Sequence, residues 1–274
     1  MKVRIKFQKF GAMKFIGHLD VMRYFQKAFR RAGIDNEYSK GFSPHQIMSF
    51  AAPLGVGLTS DGEYLDAQLL SGDAPQVMID RINEALTEGF KITGFKELKD
   101  REENKKAVTA MSLVASADYL VSLRDGYQIC GEIRTKEAFQ SAFTKFLSGD
   151  RIVMDKKTKK SETQVDIKPM ISFASFDEEE YISKLKLTLS EPSQAEPIKA
   201  SLLSSTADQY ENGIRVFLQV ETGSSSNLKP ELVMEAFYDS LGIEYEKYAW
   251  QVHRLEVYAR EEDAGLMALD QLER

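Results

Sequence analysis

Two of the three histidines in the sequence, His18 and His45, lie close along the chain to a group of arginines and lysines. Imidazole titrates near neutral pH, so two such groups can serve as a general acid and a general base. Neighbouring cations would stabilise the negative charge that develops on a phosphate during cleavage of an RNA backbone. This combination predicts His18 and His45 as candidate catalytic residues of a metal-independent endoribonuclease.

Three arginines, Arg23, Arg30 and Arg31, are the best candidates for binding an anion. They lie near one flank of a predicted helix, where guanidinium groups repel each other unless an anion is present. The first fifty residues contain ten Lys or Arg against three Asp or Glu, whereas the remainder contains 26 against 39. This asymmetry predicts RNA or another anion as a partner, and an ordinary solvated helix face is the alternative interpretation.

Several of these residues also have a purely structural interpretation. Asp20 can cap a helix, and His18 can bond a backbone carbonyl of a neighbouring strand. Tyr38 and Phe42 can anchor a loop instead of stacking on bases. No metal site is predicted from His18, Asp20 and His45, because no local spacing demands one.

A helix positions the arginines. Apolar residues recur at spacings of three or four, which predicts a helix from about His18 to Ala32 that lies on a core. Gly17 is its predicted N-cap, Asp20 the acidic member of a capping box, and Gly33 its C-cap. The predicted inward face consists of Leu19, Met22, Phe25, Phe29 and Ala32.

The Gly, Ser and Pro content of residues 38–45 predicts a loop after this helix. The loop contributes Tyr38, Ser39 and Lys40 as candidate anion-binding residues. A loop of this length on a compact domain is often functional. Two strands are predicted after it, over 47–53 and 62–70, with a turn at residues 60–62.

At these residues the chain resembles a family, the bacterial radical-SAM-linked domain of unknown function, in its free-standing form. The matching segments are Phe15 to Arg23, Arg30 to Gly33, Tyr38 to Pro44, Gly62 to Asp66 and Val165 to Pro169. Gly17 stands where a serine is common, and Gln46 and Lys168 stand where basic residues or arginine are expected. The motif also contains residues that are not catalytic or anion-binding candidates, namely Gly17, Asp20, Gly41, Phe42, Pro44, Glu63 and Asp66.

The resemblance implies a radical SAM enzyme as partner. With one cysteine, Cys130, the chain has no cysteine cradle for an iron–sulfur cluster and is not itself such an enzyme. The leading hypothesis is a non-catalytic, cofactor-free protein that binds RNA or presents a substrate in RNA modification or processing. The alternatives are the endoribonuclease, an adaptor that docks the partner through the acidic second half, and a small-anion-binding module.

The order of predicted elements over residues 1–98 is strand, helix, strand, strand, helix, strand, which is typical of a ferredoxin-like fold. Residues 99–107 form a charged linker, residues 108–260 repeat a similar order with a strand at 181–189, and residues 261–274 form a charged helical tail. The predicted class is α+β, with two ferredoxin-like halves of antiparallel sheet packed against helices. No signal peptide or membrane span is evident, which predicts a cytoplasmic protein.

Overall fold

The structure, a computed structural model, describes residues 1–99, 109–157, 162–224, 226–261 and 265–272. In these residues the fold is α+β, with seven α-helices around a large, mostly antiparallel sheet of nine strands. Except for Lys99, the predicted linker lies outside the described residues.

The first half begins with a strand and ends with a strand, as its sequence pattern predicts. A short 3-10 helix, Gly11–Phe15, precedes the first α-helix. The elements are β1 (Lys2–Lys9), α1 (His18–Arg31), β2 (Met48–Phe50), β3 (Thr59–Gln68), α2 (Pro75–Ala85) and β4 (Phe90–Leu98).

The second half contains five helices and seven strands within the described residues. β6 and β7 form a separate two-stranded hairpin. The elements are α3 (Ala110–Leu113), β5 (Val114–Leu123), α4 (Lys136–Leu147), β6 (Val153–Lys157), β7 (Glu162–Asp166), β8 (Ile171–Ser175), α5 (Glu178–Thr188), α6 (Ala195–Leu203), β9 (Arg215–Glu221), α7 (Pro230–Ser240), β10 (Trp250–Glu261) and β11 (Gly265–Ala268).

One sheet runs through both halves in the order β4-β1-β3-β10-β5-β9-β8, with β2 added to β3 and β11 added to β10. All of its pairs are antiparallel except β3 with β10, which meet in parallel at Thr59 with His253 and at Ser60 with Arg254. Close to this join, a Cβ on Gly62 would lie 2.7 Å from the carbonyl oxygen of Leu255. The two halves therefore approach each other more closely than a side chain at position 62 allows.

Three apolar clusters hold the helices against the sheet. In the first half, Phe25 of α1 packs against Phe7 of β1 and against Phe29 of the same helix, and all three belong to one apolar cluster. In the second half, α4 and α7 cover one cluster and α5 and α6 cover another. The aromatic members of the second-half clusters include Phe139, Phe143, Phe237 and Trp250 in the former and Tyr181 and Phe217 in the latter.

The predicted turn at residues 60–62 is wrong, because these residues lie inside β3. Ser60 and Asp61 are polar, which suggested a turn, but both are buried beside the second half. Asp61 has hydrogen-bond donors from distant segments, and Gly62 is needed for close packing rather than for a reversal of the chain. The sequence alone shows none of these long-range partners.

The strand predicted over 181–189 is wrong, because this segment is α5. Leu185, Leu187 and Leu189 alternate as residues of a strand do, yet the Leu187 side chain is 85% exposed. Asp177 caps the helix by accepting the N–H of Glu180 at 2.8 Å. The cap and the helical spacing of the buried residues outweigh the local alternation.

The helical tail predicted over 261–274 is wrong where the structure describes it. Gly265–Ala268 is β11, which pairs with β10, and Leu269 after it is fully buried. The inward face of α1 also differs from the prediction. Leu19 is 60% exposed, whereas Val21 is buried, so the buried stripe begins two residues later than expected.

Candidate functional site

His18 is the first residue of α1 and is half-buried. Its ring meets the edge of the Phe50 ring at 5.3 Å between centroids, and it borders a small cavity together with Lys9 and Glu63. Burial lowers the pKa of Lys9. The imidazole therefore lies between an aromatic ring and buried charged groups.

The start of α1 has no capping side chain. Gly17 is the N-cap, as predicted, and its backbone is extended. Asp20 is exposed and accepts a hydrogen bond from Arg23 at 3.3 Å. This exposed ion pair stands where a capping box was predicted.

The three arginines have different surroundings. Arg23 pairs with Asp20, and Arg31 donates to the carbonyl of Ala85 at the end of α2 at 2.8 Å. Arg31 also lies over the Tyr24 ring. Arg30 is exposed and, within the part of the chain that the structure describes, has no ion pair. Arg31 therefore joins two helices, and Arg30 is the more available cation.

The loop over 38–45 is closed at its base. Tyr38 and Gln46 form an isolated β-bridge, and the hydroxyl of Ser39 bonds His45 twice, at 2.9 Å to the ring Nδ1 and at 3.1 Å from the backbone N–H. Gly41 adopts a φ of 115°, which favours glycine. The base therefore fixes the conformation from which the loop tip projects.

Phe42 stands at the loop tip with its side chain fully exposed. Lys40 and Pro44 beside it are exposed too, and Tyr38 is 46% exposed. The Phe42 ring is therefore not part of any packed apolar cluster of the described residues. The tip therefore offers a ring face and a cation to a ligand.

His18 and His45 are not brought into contact. His18 meets Phe50, whereas His45 bonds Ser39. In the described ranges no hydrogen bond or ring contact joins the two imidazoles. Acid–base catalysis by this pair would need a substrate that reaches both groups.

The motif acids Glu63 and Asp66 face inward. Glu63 accepts hydrogen bonds from the buried Arg254 of β10, at 2.8 Å from Nε and at 2.6 Å from Nη2. Asp66 accepts a hydrogen bond from Arg4 at 2.8 Å and another from the backbone N–H of Ala110 at 2.7 Å. Both acids therefore tie β3 to other parts of the molecule.

A cluster of buried polar and charged residues, which we call the seam, lies where β3 and β10 pair. Its centre is Asp61, whose carboxylate bonds Nε2 of His253 at 2.9 Å. His253 Nδ1 lies 2.8 Å from the hydroxyl of Thr59. Burial alone would raise the pKa of Asp61, but the bond from His253 and those from Ser205 and Thr206 hold it below the usual value.

The seam continues on the other side of Gly62. Lys6 bonds Glu256 at 2.5 Å and Asp270 at 3.2 Å, and Tyr64 donates to Glu256 at 2.7 Å. Burial opposes the charge on Lys6, yet the two carboxylates raise its pKa. Charges from both halves therefore neutralise each other inside the molecule.

The residues of β10 that complete the seam were not identified from the sequence. His253, Arg254 and Glu256 all lie in β10, and three ionisable residues among the apolar ones of a strand are a signal of buried pairing. Their partners lie more than 190 residues away along the chain. The signal could show that partners exist, but not which residues they are.

Within the described part of the chain, no group of three or more His, Cys, Asp and Glu is arranged to hold a metal ion, and none of the helices there is long and apolar enough to cross a membrane. The profile of a protein family described as an uncharacterized protein conserved in bacteria matches residues 2–230. No curated protein matches the chain.

Proposed function

The chain belongs to the DUF2344 family of uncharacterized bacterial proteins, and we propose that it is a non-catalytic RNA-binding accessory protein that works with a radical SAM enzyme. The observation that carries the RNA part is the fully exposed ring of Phe42 at the tip of a closed loop, beside Lys40. Proteins that bind single-stranded RNA combine aromatic rings, on which bases stack, with cations that contact phosphates.

The loop is prepared for such binding. The Ser39–His45 bonds and the left-handed Gly41 limit its conformations, so less entropy is lost when a base stacks on Phe42. Arg30, near the end of the preceding helix, has no competing carboxylate in the described residues. His45 is in this interpretation a positioning residue rather than a catalyst.

The radical SAM partner rests on the resemblance of the motif segments. Two exposed apolar side chains support an accessory role, because Phe15 is 67% and Leu19 is 60% exposed near the start of α1. A protein partner that covers them would remove apolar area from water. The RNA-binding loop and the partner surface would then both belong to the first half.

The strand order supports the proposal that each half is a ferredoxin-like unit. In the first half, β2 and the path β4-β1-β3 give the order β4-β1-β3-β2, all antiparallel. In the second half, β10-β5-β9-β8 has the same order and the same directions. The second half departs from the plain unit by carrying α5 and α6 between β8 and β9. This fold is shared by many RNA-binding domains, which is an analogy of fold only.

The test is the affinity for a labelled single-stranded RNA. Phe42→Ala should weaken binding on the order of tenfold, because one stacked base contributes roughly 1 to 3 kcal/mol. Phe15→Ala is the matched control, since it removes an exposed phenylalanine of the same half outside the loop. Both variants should keep the melting temperature of the parent, because both rings are exposed.

Three other outcomes would replace the proposal. Equal affinity of the parent and Phe42→Ala would remove the loop from the RNA-binding surface. Site-specific cleavage of the RNA in EDTA, lost in His18→Ala, would establish the endoribonuclease instead. Loss of binding to a radical SAM protein in Phe15→Ala, with no RNA affinity in the parent, would leave a protein-only adaptor.

A further inference from the structure

A cavity of about 350 Å³ opens between the two halves. The segment between β2 and β3 forms one side, and residues from β5, β10 and the start of α7 form the others. Its volume falls in the range of small-molecule binding sites, and such sites occur preferentially where two structural units meet.

The walls of the cavity differ in polarity. Pro53, Leu54 and Met111 contribute apolar surface, whereas Thr222 and Asn227 contribute a hydroxyl and an amide. A ligand that fills it therefore needs an apolar body, and one polar end that meets these polar groups.

Arg254 and Tyr119 lie in the floor, with 3% and 5% of their surface exposed. Arg254 uses Nε and Nη2 for Glu63 and Nη2 for the carbonyl of Ala52. Nη1 takes no part in these bonds, although the guanidinium also interacts with the Tyr119 hydroxyl beside it. A guanidinium keeps its charge in any environment, so this group can donate to an anionic ligand atom that reaches the floor.

Lys229 stands at the rim and, in the described ranges, forms no ion pair. Glu231 lines the same cavity and is half-buried there. An ionised carboxylate only accepts hydrogen bonds, so a ligand hydroxyl or amino group can donate to Glu231. With one acid beside the cations, the lining suits a singly charged ligand better than a polyphosphate.

From these contacts we infer that the cavity is a binding site for a small organic monoanion that has an apolar body and one hydrogen-bond donor. The anionic group meets Arg254 and Lys229, the body lies on Pro53 and Met111, and the donor meets Glu231. This site is distinct from the proposed RNA-binding loop, so each can fail without the other.

The probe is 4-hydroxyphenylacetate, which has a carboxylate, a flat apolar body and a hydroxyl donor. With methyl-labelled methionine, the Met111 signal should shift in a saturable way with a Kd on the order of 1 mM, as for an unoptimised fragment. Two matched probes, the neutral 4-hydroxyphenylacetamide and acetate, each lack one of the required features. Both should bind several-fold more weakly.

Two variants locate the binding. Lys229→Gln should weaken the probe about fivefold or more, and Ala52→Leu, which adds bulk inside the cavity, should abolish the shift. Lys27→Gln, the same change on exposed α1, is the control and should bind as the parent does. The proposal is overturned if the Met111 signal does not respond at probe concentrations of about 10 mM, or if Lys229→Gln and Ala52→Leu both bind as the parent does.

Discussion

At the scale of single residues, Asp118 of β5 lies in the centre of the sheet with no exposed surface. Tyr181 and Tyr258 donate to its Oδ2 at 2.6 and 2.7 Å, whereas Oδ1 has no partner in the described residues. Burial raises the pKa of Asp118 to about 7, although the two hydroxyl groups act in the opposite direction. The carboxyl therefore changes its charge near neutral pH in the folded protein.

The raised pKa of Asp118 determines the direction in which the stability of the protein changes with pH. Between the ordinary pKa of 3.8 and the folded value of about 7, the folded protein binds a proton that the unfolded chain releases. The free energy of unfolding therefore falls as the pH rises through this range and stays lower above it. Asp118→Asn should reduce that fall and be more stable than the parent at pH 8, by a few kcal/mol or less. Urea unfolding at several pH values measures it.

The exposed Asp239→Asn is the control for this experiment and should keep the slope of the parent. A parent protein whose stability does not change between pH 4 and about pH 7, or an Asp118→Asn variant with the same slope, would contradict the assignment. Glu256 contributes in the same direction, because burial raises its pKa as well. Some slope should therefore remain in the variant.

The residues of the seam also mark the limit of inference from sequence. Glu63 and Asp66 were singled out from a motif, but nothing in the sequence places Arg254 beside Glu63. That pairing depends on strand register between halves, which local spacing does not encode. The same holds for His253, the one histidine that the sequence analysis did not use.

At the scale of elements, predictions succeeded where a local signal has one interpretation. Gly33 ends α1 with a positive φ, as predicted. Thr135 caps α4 by accepting the N–H of Ala138 at 3.2 Å, and Gly242 follows α7 with a positive φ. The strand and helix order of residues 1–98 was also predicted closely. The errors at 60–62, at 181–189 and in the tail after residue 261 lie where a local pattern has two interpretations and tertiary packing decides between them.

Gly62 tests how closely β3 and β10 must approach. In Gly62→Ala the new Cβ would meet the carbonyl oxygen of Leu255 at 2.7 Å and the Cα of Glu256 at 2.8 Å. Both are backbone atoms, so the strands must separate and the Lys6–Glu256 pair must shift. The free energy of unfolding should fall by about 2 to 4 kcal/mol.

Gly55→Ala is the matched control for this substitution. Its Cβ would meet only Leu58 Cδ1, at the ordinary contact distance of 3.7 Å. Its stability should stay within about 0.5 kcal/mol of the parent or rise slightly, since alanine restricts the unfolded chain. Equal stability of the Gly62→Ala and Gly55→Ala proteins in urea unfolding would show that the join tolerates a wider spacing.

At the scale of the whole molecule, the continuous sheet changes how the two halves should be regarded. A charged segment separates them along the sequence, which suggested independent units. The structure joins them through one short parallel contact between β3 and β10, and surrounds that contact with buried ionic groups. Composition can reveal a boundary along the chain, but it does not reveal pairing across that boundary.

The last prediction concerns separation of the halves as two chains, residues 1–99 and 109–274. Alone, the first would leave Asp61 without His253 and Glu63 without Arg254. Without β10, the end of β3 that is buried in the whole chain becomes an open edge whose backbone groups and carboxylates face water, and a small domain has little stability to lose. The first half should therefore lack a cooperative unfolding transition by itself.

Co-expressed halves should form a one-to-one complex on size exclusion, because together they restore every pair in the seam. The same complex with Gly62→Ala in the first half should dissociate more readily, whereas Gly55→Ala should leave it intact. A first half that unfolds cooperatively alone, with a melting temperature equal to that of the whole chain, would mean that the seam is not required for its stability.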